Sequence, residues 1–391
     1  YGFQYLETPS FEYTDSIGKF LPDKERPDEG VFSFRDEKKW LSLRYDLTAP
    51  LARYVAKNYL ELPKPFKRYQ LGTVWRNEKP GPGRFREFLQ FDADYVGTKN
   101  TQADAELCIL ISEILEKCDL KQNDYTIKIS DRKAVEVVMS MAGIKSQSQK
   151  MKTIRALDKI SRLGKNEVKK LLGKGRMDKS GDYTKGAGLE KKQIEQVLQN
   201  LDTFFDNPDG EQLEINFGEI KKIFDAYGFK NYKFDPSIIR GLDYYTGLVF
   251  EVDLTFDVKN SKGQVIQFGS IGGGGRYDNL IKRFGNLDCP ATGISIGIDR
   301  LVYALMQKKE FNIKSNKPIV ICVFDKSKIK EYIEILNKLR MSNISSEIYP
   351  GEGKLKKQME YANKIGSPAV ILYGDDEIKS GKATLKNLET G

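Results

Sequence analysis

TVWRNEKPGPGRFREFLQFDADYVG, Thr73 to Gly97, decides how this chain is read. Two strand-like arms flank a loop, Lys79 to Arg84, that contains two prolines and two glycines, so the segment predicts a long hairpin. On the second arm the two-residue period of a strand puts Arg86, Phe88, Gln90, Asp92 and Asp94 on one face. Glu87, Leu89, Phe91, Ala93 and Tyr95 fall on the other. An ordinary half-exposed strand would turn the charged face to water. Two features argue otherwise: Arg76, Arg84 and Arg86 converge on one turn beside Glu78, and Phe88 interrupts the polar positions. Guanidinium forks match phosphate oxygens and an aromatic face stacks on a base, so the hairpin alone points to a nucleoside triphosphate site.

Three further segments bear on that reading. RGLDYYTG, Arg240 to Gly247, packs an arginine, a carboxylate and two tyrosines into one short run. GGGGRYDNLI, Gly272 to Ile281, opens with four glycines, which serve either as a flexible turn or to let backbone approach a ligand closely. It is neither a P-loop nor the dinucleotide-binding fingerprint. TGISIGIDRL, Thr292 to Leu301, reads as a buried strand running into a helix with Arg300 near the junction.

With 391 residues the chain is long enough for two or three domains. Charged residues at 30% and aromatics at 11% together exclude a disordered tail or a low-complexity polymer. Histidine is absent, which excludes Ser-His-Asp and Cys-His catalysis and any histidine general base. Cys108, Cys118, Cys289 and Cys322 form no C-x-x-C pair, so no metal site built from cysteine or histidine is expected, and a reduced intracellular chain is. Apolar stretches such as Pro318 to Phe324 fall far short of the roughly 20 residues that cross a bilayer, so no membrane association is expected. The chain begins at Tyr1 without Met and reads as a window cut from a longer protein.

Lys and Arg outnumber Asp and Glu by 64 to 55, and residues 145–192 alone hold 15 of the basic and 5 of the acidic residues. The excess positive charge thus sits in one segment on a near-neutral body. Such a segment is either a polyanion-docking surface, where each neutralised phosphate releases counterions, or a solvated helical face.

The texture of the chain divides it into four stretches. Residues 1–144 mix strands and helices and include the hairpin at 66–97. Residues 145–233 carry helical spacing, with Ile154, Leu157, Ile160, Leu163, Val168, Leu171 and Leu172 three to four apart and a second run from Leu189 to Phe205. Strand-like segments return over 234–314, so the helical stretch reads as an insertion in a sheet domain. Residues 315–391 alternate strand (Ile319 to Phe324), helix (Ile329 to Arg340), strand (Glu347 to Tyr349), helix (Leu355 to Ile365) and strand (Ala369 to Tyr373). That alternation predicts a separate α/β domain with parallel strands.

Taken together, the segments resemble the class II aminoacyl-tRNA synthetases, and among them the histidyl-tRNA synthetase family. W-R-N-E with the later R-F-R-E-F is similar to the class II ATP-binding hairpin, and G-I-D-R to the motif that carries the second ATP arginine. RGLDYYTG and GGRYD are similar to two peptides peculiar to the histidyl enzymes, and LRYDLTAP, Leu43 to Pro50, to their amino-acid-binding segment. The resemblance extends from Tyr1 to Gly391. It implies an α+β fold: an antiparallel six-stranded catalytic sheet flanked by helices, a helical insertion, and a C-terminal βαβαβ anticodon-binding domain. It also implies a cytoplasmic homodimer that uses L-histidine, tRNA(His), ATP and Mg²⁺.

The resemblance also distributes roles. Arg76 corresponds to the arginine gripping the ATP α-phosphate and the amino-acid carboxylate. Arg84 and Arg300 correspond to the pair holding the triphosphate, with Phe88 and Arg300 sandwiching adenine and Glu78 near its amine. Asp46, Leu47, Thr48 and Gln90 belong to the segments that hold the amino group, while Asp94, Tyr244, Tyr245 and Tyr277 line the imidazole pocket. Arg240 is the expected catalytic residue, a fixed cation where other class II enzymes use a metal ion. The basic insertion is expected to approach the tRNA acceptor arm through Lys169, Lys170 and Lys174.

The chain departs from the family pattern in places. Many relatives have glutamate where Asp94 stands, so the imidazole partner is one methylene shorter. Position 89 is Leu where some members have a polar or aromatic residue, and the loop EKPGPG, which meets the acceptor end of tRNA in the class, is proline-rich. One rival is a catalytically inactive regulatory subunit of ATP phosphoribosyltransferase with the same fold. Such a protein usually lacks the C-terminal domain and degrades the ATP arginines, whereas Arg76, Arg84, Arg240 and Arg300 are all present. Threonyl, prolyl or glycyl enzymes would lack RGLDYYTG.

Overall fold

Residues 1–14, 30–177, 181, 183–206, 217–235, 238, 244–308, 317–388 and 390 are described by the computed structural model. Two units divide the chain, Tyr1–Phe311 and Asn312–Gly391.

The first unit is organised by an eight-stranded sheet. Its strands are β1 (Gln4–Tyr5), β2 (Phe66–Trp75), β3 (Glu87–Val96), β4 (Tyr125–Asp131), β5 (Tyr232–Phe234), β6 (Leu248–Leu254), β7 (Gly272–Arg276) and β8 (Ala291–Gly297). They lie in the order β1-β2-β3-β8-β7-β6-β4-β5. The six inner strands are mutually antiparallel, and a short parallel strand is added at each edge. The hairpin expected from Thr73 to Gly97 is β2 and β3, paired from Phe66–Val96 to Trp75–Glu87. The four glycines of GGGGR are not a turn. They form β7 in the middle of the sheet, where the absence of side chains lets its neighbours close in.

Helices cover both faces. Helix α1 (Thr48–Asn58) packs Leu51, Ala52 and Val55 on one face, in a cluster with Tyr244, Tyr245, Tyr277 and Leu280. Helix α2 (Thr101–Lys117) covers the other through Leu107, Ile111 and Leu115, against Ile294 and Ile296 of β8. Asn100 starts α2 by accepting from the Gln102 amide at 2.9 Å, which satisfies one of the free N–H groups of the first turn. The segment that follows, α3 (Arg132–Met141), leads into the predicted insertion: α4 (Gln147–Leu157), α5 (Ile160–Leu163), α6 (Lys165–Leu172), α7 (Lys191–Asp206) and α8 (Phe217–Tyr227). The expected apolar stripe is real. Leu157, Val168, Leu172 and Val197 are buried in the same core as α2, with their lysine-rich sides outward.

After β8 the chain enters α9 (Ile298–Leu305), as the run from Thr292 to Leu301 predicts. In the second unit, strands β9 (Ile319–Ile321), β10 (Ser346–Ile348) and β11 (Ala369–Leu372) are parallel and alternate with α10 (Ile329–Met341) and α11 (Leu355–Lys364). The sequence pattern did not announce β12 (Thr384–Asn387), an antiparallel strand that closes the sheet in the order β10-β9-β11-β12.

Candidate active site

Pairing register assembles the site on one face of the sheet. Across β2, β3 and β8, Arg68 lies beside Asp94 and Gly293, Gln70 beside Asp92 and Ser295, and Gly72 beside Gln90 and Gly297. Directly opposed residues in a ladder share a face, so these rows stack charge against charge with small residues behind. β7 extends two of the rows with Gly275 and Gly273. The hairpin's charged face is therefore not turned to water: Gln90, Asp92 and Asp94 are 4%, 0% and 1% exposed. The outer face of the hairpin instead leaves Tyr69, Leu71 and Leu89 exposed.

Charges buried this deeply must be paired. The guanidinium of Arg68, itself fully buried, donates to Asp94 Oδ2 at 2.9 Å, and Tyr277 donates its hydroxyl to Asp94 Oδ1 at 2.6 Å. Arg68 also donates to the Leu47 carbonyl at 3.4 Å and to the Gln70 side-chain oxygen. A Cβ on Gly293 would run into the Asp94 carboxylate, so glycine opposite Asp94 is what makes room for it. Burial raises the Asp94 carboxyl above its ordinary range, and Arg68 and Tyr277 oppose that rise. Tyr277 is pushed well up by burial and by Asp94.

The start of α1 meets this cluster. Asp46 accepts from the Ala49 amide at 2.9 Å and from the Tyr244 hydroxyl at 3.5 Å, and burial raises its carboxyl. Thr48 donates to Asp92 Oδ2 at 3.4 Å, and Gln90 donates to Asp92 Oδ1 at 2.9 Å. Tyr244 stacks at a tilt on Tyr245, 4.9 Å between centroids, and edge-on to Tyr277 at 6.0 Å. This end of the face is closed and acidic.

Toward the hairpin loop the same face opens into a cavity of about 620 Å³, a size common for small-molecule sites. Arg76, Glu78, Arg84, Phe88, Gln90 and Arg300 line it, with Gly272 and Gly273 contributing bare backbone. The Arg76 guanidinium lies 4.5 Å from the Tyr45 ring centroid and 5.3 Å from that of Phe88. Tyr45 donates to Glu78 at 3.1 Å. Arg300 lies 4.3 Å over the Phe268 ring and donates through Nε to the Ser270 carbonyl at 3.0 Å. Among the described residues its buried Nη1 has no hydrogen-bond partner, and burial beside Arg84 lowers its pKa to about 10. Both facts describe a cation site ready for an anion. The loop closes over this end: Gly83, at φ +63, sits so near that a Cβ would lie 3.1 Å from Tyr303 Cβ and 3.3 Å from Arg300 Cα.

Of the site residues expected from the sequence, Arg76, Glu78, Arg84, Phe88, Gln90 and Arg300 line one cavity. Asp46, Leu47, Thr48, Asp94, Tyr244, Tyr245 and Tyr277 are buried at the closed end. Arg240 lies outside the described residues. Lys169, Lys170 and Lys174 are exposed on α6 and just beyond it, and Lys170 pairs with Glu167 at 2.5 Å. Arg86 does not join the other arginines: it turns to Asn77 and to the Phe32 ring, 5.2 Å away. Sequence reasoning missed Arg68, Tyr45 and Ser295, and put Asp92 on the right face without a role. Tyr45 was within reach, being the neighbour of Asp46. Arg68 and Ser295 become visible only once strand register is known.

A family model described as histidyl-tRNA synthetase matches residues 1–301, and one described as anticodon binding domain matches residues 317–391. The histidine–tRNA ligase of Brucella suis biovar 1 is 45% identical over 100% of this chain and 82% of its own length. That of Bartonella quintana is 46% identical, over 100% and 83%. Among solved structures, histidyl-tRNA synthetase from Nostoc sp. PCC 7120 superposes with a TM-score of 0.75 at 27% identity, covering 100% of this chain and 88% of that one.

Proposed function

The chain belongs to the histidyl-tRNA synthetase family and works as a class II histidine–tRNA ligase, and we propose that the two ends of its strand face hold the two substrates of the first step. Histidine takes the closed acidic end and ATP the open cationic end, so the amino-acid carboxylate meets the α-phosphorus between them, near Gln90 and Arg76. The observation that carries this is the single row of β3, which runs from Asp94 through Asp92 and Gln90 to Phe88, from buried acid to open cavity.

The residues fit those ligands. An imidazole N–H needs a buried acceptor, and Asp94, held by Arg68 and Tyr277, keeps a carboxylate there. A site built to hydrogen-bond its substrate rejects an apolar isostere because the polar group is then left unpaired. Asp46, Thr48 and Gln90 supply acceptors for the ammonium, with the Leu47 backbone holding the segment in place. Arg84 and Arg300 suit the triphosphate, and Arg300 Nη1 is a donor awaiting an acceptor. Phe88 offers a ring to adenine and Glu78 an acceptor to its amine.

In the first step the histidine carboxylate attacks the α-phosphorus and pyrophosphate leaves. Charge builds on the transferring oxygens, where preorganised guanidiniums stabilise the transition state more than the ground state. Arg76 is set for this by its Nε bond to the Tyr45 carbonyl at 3.2 Å. Arg240 is proposed as the second such cation. Mg²⁺ would come with ATP, held mainly by phosphates with Glu251 in the cavity as its protein carboxylate, and would neutralise the leaving pyrophosphate. In the second step the terminal ribose hydroxyl of tRNA(His) attacks the adenylate carbonyl carbon, and AMP leaves.

For the full assembly, we propose a homodimer formed through the outer face of the β1–β3 edge. Tyr5, Tyr69, Leu71 and Leu89 are exposed there, an apolar patch of the kind that marks an interface. Lys169, Lys170 and Lys174, exposed on the basic insertion, are proposed to meet the tRNA backbone, and the cytoplasm is the proposed site of action. No helix among the described residues is long and apolar enough to cross a membrane. The catalytic assignment is tested by ATP–pyrophosphate exchange with Arg240→Ala: loss of one such donor is expected to lower the rate about 10²- to 10³-fold, with histidine binding weakened less. Near-normal exchange by the variant would remove Arg240 from the mechanism.

A further inference from the structure

Asp92 is the most deeply buried carboxylate on the site face, and the substrate contacts proposed for its neighbours leave it unused. It is held from every element around it. Gln90 on its own strand donates to one oxygen at 2.9 Å and Thr48 at the head of α1 to the other at 3.4 Å. Ser295 of β8 also hydrogen-bonds to it. Arg68 of β2 and, more distantly, Arg44 attract it electrostatically, and Asp94 repels it. The amide of Gln90 donates in addition to Ser295 Oγ at 3.3 Å.

The consequence lies in what remains of Gln90. A primary amide has two N–H donors and one carbonyl acceptor. With both donors directed at Asp92 and Ser295, the charged carboxylate of Asp92 holds the amide in this orientation, and its oxygen is left as the group available to the cavity that Gln90 lines. An ammonium has donors only and requires acceptors. We infer that Asp92 is a positioning residue for the amino-acid site: it fixes Gln90 and Thr48 in their acceptor orientation and supplies the negative charge against which the substrate ammonium is bound. The inference rests on the assignment of the closed end to histidine.

Charge balance supports it. Arg68 is bonded to Asp94 and Arg44 lies buried beside Gln70, so among the described residues two guanidiniums face the three buried carboxylates Asp46, Asp92 and Asp94, and Asp92 is what leaves the closed end with more acid than base. Burial and Asp94 push the Asp92 carboxyl up to about 7. An arriving ammonium favours the carboxylate, so histidine binding expels a proton from Asp92, and affinity rises as pH rises through about 7.

Histidine-dependent ATP–pyrophosphate exchange, measured from pH 6 to 8.5, tests this with Asp92→Asn, which keeps the shape and removes the charge. The variant is expected to raise the histidine KM roughly tenfold or more, to leave kcat within about threefold and the ATP KM unchanged, and to lose part of the fall in KM through pH 7. The substrate's own imidazole titrates in that range but does so equally for both proteins, so the difference between the profiles reports Asp92 together with its effect on Asp94. Unchanged KM and pH profile, or a loss confined to kcat, would overturn the inference. Ser295→Ala deletes only a hydroxyl and decides the matter if Asp92→Asn does not fold: a KM raised about threefold at constant kcat is expected, and no change in KM would refute the positioning role. No exchange by the wild-type protein with histidine would bring down the underlying assignment and this inference together. Wild-type exchange with unaltered variants brings down the inference alone.

Discussion

The two ends of the β3 face are built from opposite materials. At the closed end, Asp46, Asp92 and Asp94 lie buried near the guanidiniums of Arg68 and Arg44, with tyrosine hydroxyls and helix-end amides completing their hydrogen bonds. At the open end, Arg76, Arg84 and Arg300 line a cavity. Burial raises the acids at one end and lowers the Arg300 cation at the other. Each end is thus electrostatically strained in the sense its proposed substrate would relieve: a cationic amino group for the acids, a polyanion for the arginines. A single strand, β3, connects the two ends.

That contrast is broken most sharply by one variant at each end. Asp94→Asn is expected to raise the KM for histidine roughly tenfold or more and leave that for ATP unchanged, whereas Arg300→Ala is expected to do the reverse. Exchange kinetics with each substrate varied in turn will check this, and equal effects of either variant on both KM values would merge the two ends into one site. A smaller effect is expected at the loop that closes the open end. Gly83→Ala forces a side chain into a left-handed backbone position and toward Tyr303 and Phe268, at a cost of about 1–2 kcal/mol. Thermal melting should show it as a lower midpoint, with the ATP KM raised and the histidine KM unaffected.

The smallest effect concerns neither end. Replacing Lys169, Lys170 and Lys174 by serine is expected to leave exchange untouched and to weaken tRNA binding, reducing its salt slope by roughly 0.9 for each phosphate that is no longer neutralised. Filter binding at several salt concentrations measures it. Lys170 already pairs with Glu167, so its share should be the least of the three. An unchanged slope would return all three lysines to solvated surface.

The residues most legible in the sequence were those whose meaning is local. Alternation along β3 placed Phe88, Gln90, Asp92 and Asp94 on one face, and the strand–helix rhythm after residue 317 gave the second unit its parallel strands. What alternation cannot say is which face turns inward. That depends on Arg68 pairing with Asp94 across 26 residues and on Gly293 and Ser295 of β8 lying about 200 residues further on. Without a buried cation and without glycine to make room, a row of carboxylates belongs in water, and within the hairpin only the clustered arginines and Phe88 argue against that. The glycine run was ambiguous for the same reason. Nothing local separates a turn from a strand whose missing side chains admit its neighbours, and β7 is the second. Arg86 shows the converse error: proximity in the loop and the two-residue period both suggested convergence, but Arg86 lies just before β3 begins at Glu87 and turns to Asn77 and Phe32.

The most direct test of the account is ATP–pyrophosphate exchange by the wild-type protein with each of the twenty amino acids in turn, which reports adenylate formation without any need for the cognate tRNA. Exchange with histidine alone is the predicted result, since Asp94 and Tyr277 are proposed to meet the imidazole ring. Exchange with a different amino acid, or with none, would contradict the assignment of the closed end to histidine.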